Sequence, residues 1–253
     1  MSSELIINSS RDKSRIGLLK DKKLVEFHQE SDETKFNVGD IYVGKVKKIN
    51  KSLNAAFIDI GFEKDAFLHY LDLGPQFLSL KSFVKNVRGK GKVSYDSSKK
   101  LDDINKFGKI NEVLTKGDEI LIQVVKEPIS TKGPRVTTEL SLAGRYLILV
   151  SFSETINVSK KITKREERIR LINLIKSIRP KNFGVIVRTV AKQKKVAELD
   201  SDLQNLVNRW KKLCKSIKNI NKCPYKVLSE INRTSSILRD IFDDSFKKNT
   251  KLY

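Results

Sequence analysis

The stretch NAAFIDIGFEKDAFLH, residues 54 to 69, sets two phenylalanines in polar company. Side chains along a strand alternate between faces, so Phe57 shares a face with Asp59, and Phe67 with Asp65 and His69. Ala56, Ile58, Ile60, Ala66 and Leu68 then point the other way, into a core. Two chemistries fit the rings: they are buried residues of imperfectly amphipathic strands, since apolar side chains are usually inside, or they form an exposed platform on which bases stack. No constellation for bond cleavage accompanies them. Asp102-Asp103 and Asp243-Asp244 are adjacent pairs, which neither a helix nor a strand aims at one point, so they do not read as a two-metal site. His28 and His69 are isolated, and Cys214 and Cys223 are spaced for neither a zinc knuckle nor a disulfide framework. Arg188 and Thr189, closing GVIVRT, read on their own as a strand end running out into solvent.

A formal net charge of +21 on 253 residues sets up a positive field that favours polyanionic partners, nucleic acid first. With 39% hydrophobic residues the chain can bury a real core, in one large or two to three small domains. The longest apolar run, YLILVSF, is too short to span a bilayer, and the opening MSSELIINSSRDK lacks a signal-peptide pattern. No amphipathic helix carries a bulky aromatic face to anchor it on a membrane. The expectation is a cytoplasmic protein with no membrane partner.

The elements that must hold these residues show as changes of hydrophobic period. ELIINSS, SRIGLLK and KLVEFHQE predict an antiparallel meander within residues 1–37. From 38 to 132, IYVGKVKKIN, NAAFIDIG, DAFLH and DEILIQVVKE predict a five-stranded OB-like barrel, interrupted over about 81–109 by a polar stretch expected to be a mobile insertion loop. Residues 133–223 mix strands (VTTELSL, GRYLILVSF, FGVIVRTVA) with helices. TKREERIRLINLIKSI is expected to open with a capping box, Thr163 with Glu166, and to bury Ile169, Ile172 and Ile175 to Ile178. LDSDLQNLVNRWKKLCKSIKN is a second helix, and LSEINRTSSILRDIFDDSF a last one within 224–253. The fold class is α+β.

In this order, LIINSS, IYVGKV, LNAAFIDIG, DAFLH, TKGPRVTTELSLAGRYLILV, NVSKKI, GVIVRT, LVNRWKKL and ILRDIF resemble the ribonuclease E/G family of bacterial endoribonucleases over nearly the whole chain. Each motif is weak alone; their collinear succession is the signal. The resemblance implies an OB-type barrel and a mixed α/β 5′-sensor subdomain, inserted together into a partial RNase H-like subdomain made of 1–37 and 224–253. It implies single-stranded RNA as partner, in ribosomal RNA maturation or messenger decay. Phe57 and Phe67 occupy the places of family aromatics that contact RNA. Lys132, in the KG turn, would add a phosphate contact, with Tyr42 and Lys45 as further candidates on the neighbouring strand. Arg188 and Thr189 match a pair that grips a 5′-monophosphate, with Gly144 allowing close backbone approach and Ile148 lying against the terminal base. The turn that follows reads VAKQKK where the family has a Gly-rich one. The family cleaves with magnesium held by carboxylates in a DNase I-like subdomain and carries a structural zinc link between protomers. Neither segment is matched by this sequence, so no catalytic residue or metal ligand is assigned. Two functions follow: the RNA-binding, end-sensing portion of an endoribonuclease, working with a catalytic portion supplied elsewhere or as a homo-oligomer, or a stand-alone non-catalytic RNA-binding protein.

Overall fold

Strands β1 (Ser3–Ser9), β2 (Lys13–Lys20) and β3 (Lys23–Ser31) form an antiparallel meander in the computed structural model. The turn from β2 to β3 holds Asp21 and Lys22 at φ of 48° and 63°, the left-handed pair that a two-residue hairpin needs to match strand twist. A short strand, Thr250–Leu252 (β14), pairs parallel to β1, and Leu5 and Ile16 are buried. The structure describes residues 3–9, 13–31, 37–90, 98, 100–230 and 250–252. They divide into two compact units, Met1–Asn37 with Ile231–Tyr253, and Val38–Glu230.

The second unit is built on a barrel. Strands β4 (Ile41–Asn50), β5 (Ala55–Asp59), β6 (Ala66–His69), β7 (Glu119–Lys126) and β8 (Arg135–Thr137) run in the order β4-β5-β6-β8-β7, and pairing of β4 with β7 closes the ring. The β6–β8 pair is parallel and the others antiparallel. A closed, five-stranded mixed barrel is the OB-type arrangement.

Residues 77–90 correct the expectation of an insertion loop that begins near 81. They form helix α1 (Phe77–Lys90). Leu80, Phe83, Val84 and Val87 are all at most 4% exposed, and their spacing is the i, i+3, i+4, i+7 stripe of a core-facing helix. Lys85, Asn86, Arg88 and Gly89 between them gave the segment its polar look. Residues 100–109 then lead to the single turn α2 (Ile110–Val113).

Beyond the barrel, β9 (Ser141–Ala143), β10 (Leu147–Ser151), β11 (Ile156–Val158) and β12 (Phe183–Val187) form a sheet ordered β11-β12-β10-β9. VTTELSL is therefore two strands, β8 in the barrel and β9 in this sheet. Helix α4 (Val196–Lys218) buries Leu199, Leu203, Leu206, Trp210, Leu213 and Ile217 along one face. Trp210 meets Phe183 edge-on at 5.6 Å between centroids and Phe83 of α1 at 6.4 Å, so one core joins the sheet, α4 and the barrel's helix.

Helix α3 (Arg165–Ile178) departs from its expected details. Its N-cap is Lys164, with no side-chain cap, so the Thr163–Glu166 box is not formed. Leu171 and Ile175 are its buried residues and Ile169 is 48% exposed, so the core face is turned relative to the expected stripe. Tyr225–Leu228 forms strand β13 on β4 where a helix was expected to begin. Residues 231–249, which hold the remainder of that expected helix, lie outside the described residues. Among the described residues no helix is long and apolar enough to cross a membrane.

Candidate nucleic-acid interface

Alternation on β5 and β6 decides where the two phenylalanines go. Ala56, Ile58, Ala66 and Leu68 are 0% exposed, whereas Phe57 and Phe67 are half-buried on the opposite, outer face. The register sets Phe57 directly opposite Phe67. Their rings meet edge-to-face at 5.9 Å, and His69 lies 6.5 Å from Phe67. Such pairs are mutually stabilising without being buried.

The rings line a groove of about 850 Å³ together with Leu53, Lys64, Lys132 and Arg135. Leu53 comes from the β4–β5 loop, and Lys132 from the hairpin between β7 and β8, where Ile129 bridges back to Lys132 and Ser130 takes φ of 50°. Gly133 is required at this point, because a Cβ there would run into the Asp65 carbonyl. Three acids near the rings are countered: Lys47 lies 2.8 Å from Asp65 and 3.8 Å from Asp59, and Arg135 forks onto Asp72 with two hydrogen bonds of 2.9 Å, while Glu127 also lines the groove. The hydrogen bond to Asp65 raises the pKa of Lys47, and that to Asp72 raises the pKa of Arg135. Lys64 donates to the Ser130 carbonyl at 2.6 Å, tying the β5–β6 turn to the β7–β8 hairpin. Lys132 is exposed.

The other two candidates on β4 separate. Lys45 is exposed, opposite Asp59 and Glu119 in the ladders. Tyr42 is only 3% exposed, with its hydroxyl 3.5 Å from Asp40 Oδ2 and Lys226 Nζ 5.5 Å above its ring. Burial, reinforced by Asp40, pushes its pKa up. Tyr42, expected from the sequence as a further RNA-contacting candidate, is thus corrected, because its side chain is buried.

Of the residues of the expected phosphate corner, Arg188 and Gly144 meet at the β9–β10 turn. Arg188, just after β12, donates from Nη1 to the carbonyls of Gly144 (2.8 Å) and Arg145 (3.3 Å). Its own N–H donates to the Tyr146 carbonyl at 2.9 Å. Thr189 is exposed and opens a short 3-10 turn, Thr189–Ala191, with its hydroxyl 2.8 Å from Ser159 Oγ. Ile148 pairs with Ile186 across the β10–β12 ladder, two residues before Arg188, and is half-buried.

Two residues that the sequence did not single out hold this corner. Asp202 of α4 accepts the backbone N–H groups of Arg145, Tyr146 and Leu147 at 2.9–3.1 Å. A Cβ at Gly144 would overlap that carboxylate, so the close approach permitted by Gly144 is already used by Asp202. Glu167 of α3 takes a bidentate pair from Arg170, each bond 2.8 Å, and the Gln193 N–H at 2.8 Å. The Arg170 hydrogen bond, with help from Gln193 and Lys192, holds its carboxyl down at about 2. This pins the VAKQKK turn. The only local signal for either acid is its position on an amphipathic helix, where a solvated charge looks the same.

Among the described residues no three His, Cys, Asp or Glu side chains converge where an ion could be held. Cys214 and Cys223 are free thiols, and burial pushes Cys214 up to about 12.

A model of the ribonuclease E/G family matches residues 141–250. Ribonuclease G of Escherichia coli (strain K12) is 31% identical over 243 residues, which is 96% of this chain and 46% of the relative. Ribonuclease G of Haemophilus influenzae is 32% identical over 247 residues, 97% of this chain and 46% of the relative. Ribonuclease E of Synechocystis sp. is 33% identical over 212 residues, 83% of this chain and 28% of the relative. The chain spans less than half the length of each of these relatives.

Proposed function

We propose that this chain, which belongs to the ribonuclease E/G family, is the portion that binds single-stranded RNA and reads its 5′ end in an endoribonuclease of ribosomal RNA maturation or messenger decay in the cytoplasm. The observation that carries the reading is the Phe57–Phe67 pair, half-exposed on the outer face of the barrel and flanked by Lys64 and Lys132. In OB folds the second and third strands and the loops beside them bind oligonucleotides, and here those are β5 and β6 with the β4–β5 loop and the β7–β8 hairpin. Rings stack on any base, so the surface suits an enzyme that samples single-stranded regions rather than one sequence. Lysines on the rim neutralise phosphates, and counterion release makes the affinity fall as salt rises.

The second element of the proposal is the Arg188 corner. A guanidinium and a hydroxyl on successive residues, with Ile148 opposite Ile186 two residues earlier, supply a planar donor set, a further hydrogen bond and an apolar surface for a terminal nucleotide. Residues 1–37 and 224–253 are read as parts of an RNase H-like subdomain. Magnesium chemistry is assigned to the family's catalytic subdomain.

Titrating a labelled single-stranded RNA with the purified chain tests the reading, using Phe57→Ala and Phe67→Ala for comparison. The proposal expects each variant to lose about 1–3 kcal/mol of RNA affinity with its melting temperature little changed. Unchanged affinity, or a stability loss of the roughly 3–5 kcal/mol that follows truncation of a buried Phe, contradicts it.

A further inference from the structure

Phe107 is 88% exposed, yet the backbone that carries it is fixed. Its own N–H donates to Asn105 Oδ1 at 2.9 Å, and the Gly108 N–H to the Asn105 carbonyl at 3.0 Å. The hydroxyl of Tyr70, a buried residue of the barrel unit, donates to that same carbonyl at 2.5 Å. A Cβ at Gly108 would strike the Tyr70 hydroxyl, so the turn fits only with glycine there. Asn54 completes the clamp, donating from Nδ2 to the Gly108 carbonyl (3.1 Å) and accepting the Ile110 N–H (2.7 Å). The chain thus holds a bulky aromatic in water on a rigid turn.

That turn adjoins the groove. Asn54 follows Leu53, which lines the groove with Phe57 and Phe67, so two chain steps of about 3.8 Å each and one hydrogen bond lead from the rim to Phe107. Lys51, Lys106 and Lys109, all exposed, lie within three residues of its ends along the chain, while the nearby Glu112 carboxylate is occupied by the Lys109 N–H at 3.2 Å and Asp103 by the Gln76 side chain. An apolar ring among lysines repels a basic partner and suits a polyanion with flat, stackable faces.

We infer that Phe107 is a third stacking position for single-stranded RNA, extending the track from the Phe57–Phe67 groove across loop 51–54. The inference rests on the RNA-binding reading of that groove. It makes affinity depend on RNA length: a short oligomer fills the groove alone, and a longer one, within the 4–16 nucleotides that OB folds cover, also reaches Phe107.

The test measures binding of two 5′-hydroxyl oligouridines, of about 5 and about 15 nucleotides, to the chain and its Phe57→Ala, Phe107→Ala and Phe107→Trp variants at one salt concentration. Phe107→Ala is expected to weaken the long oligomer about fivefold or more and leave the short one unchanged. Phe107→Trp restores it, and the melting temperature stays constant because the ring is in water. Phe57→Ala weakens both oligomers. If Phe57→Ala weakens both and Phe107→Ala neither, the extended track is wrong and the groove reading stands. If Phe57→Ala weakens neither, the groove reading fails and takes the inference with it. A Phe107→Ala change in sedimentation coefficient at unchanged RNA affinity assigns the ring to an interface between copies, which also overturns the inference.

Discussion

The aromatic face of the barrel and the Arg188 corner are built by opposite means. Phe57 and Phe67 reach their places through strand alternation and one hairpin pairing, so the information is local. The corner is assembled across the chain: Arg188 reaches back 44 residues to Gly144, and Asp202 reaches 57 residues to Arg145. A stacking surface needs only rings on a firm sheet. A phosphate site needs several donors aimed at one point, and the loops presenting them must be tied down from elsewhere.

The difference predicts how each region breaks. The largest effect belongs to Asp202→Ala, which strips three backbone N–H groups of a charged acceptor. It is expected to cost about 2–4 kcal/mol of stability in a denaturant titration, and to reduce selectivity for a 5′-monophosphate in parallel. A small loss with selectivity intact would show that the corner does not depend on α4. Next comes the Phe57→Ala and Phe67→Ala pair, separately and together. The rings touch, so the double variant should lose less RNA affinity than the sum of the single losses of about 1–3 kcal/mol; strict additivity would mean that the rings act at independent sites.

The smallest effect is at Glu167. Its folded-state pKa is depressed to about 2 from 4.5, so its contribution is present above about 4.5 and lost as pH falls toward about 2. Glu167→Gln is therefore expected to flatten the stability-pH curve between those values: its deficit is full at neutral pH, though small because the partner Arg170 is solvent-exposed and screened, and vanishes near about pH 2. A variant whose curve keeps the wild-type slope there would dissociate the Arg170 and Gln193 contacts from acid stability.

The same contrast explains what the sequence disclosed. The barrel strands and the outward turn of Phe57 and Phe67 were legible because one face of β5 and β6 is wet, and alternation then has meaning. At the start of β4 it has none: residues 41–44 are all buried, so parity could not tell that Tyr42 points away from the surface. Helix α1 was hidden because its core residues from Phe83 on sit among lysine, asparagine and glycine. On α3, isoleucines and leucines crowd several faces, and only packing chose Leu171 and Ile175 over Ile169. Arg188 and Thr189 were singled out through family resemblance, not chemistry, whereas Asp202 and Glu167 carry meaning only once the distant backbone they bind is known.

The central claim is that one region binds the body of the RNA and the other its end. The direct measurement is the affinity of the wild-type chain, Phe57→Ala and Arg188→Ala for one single-stranded oligomer in 5′-monophosphate and 5′-hydroxyl forms at a single salt concentration. The account predicts that Phe57→Ala weakens both forms by the same factor, and that Arg188→Ala weakens the monophosphate form while leaving the hydroxyl form nearly unchanged. Equal losses on both forms from Arg188→Ala would contradict it, because a general backbone contact cannot tell the two ends apart.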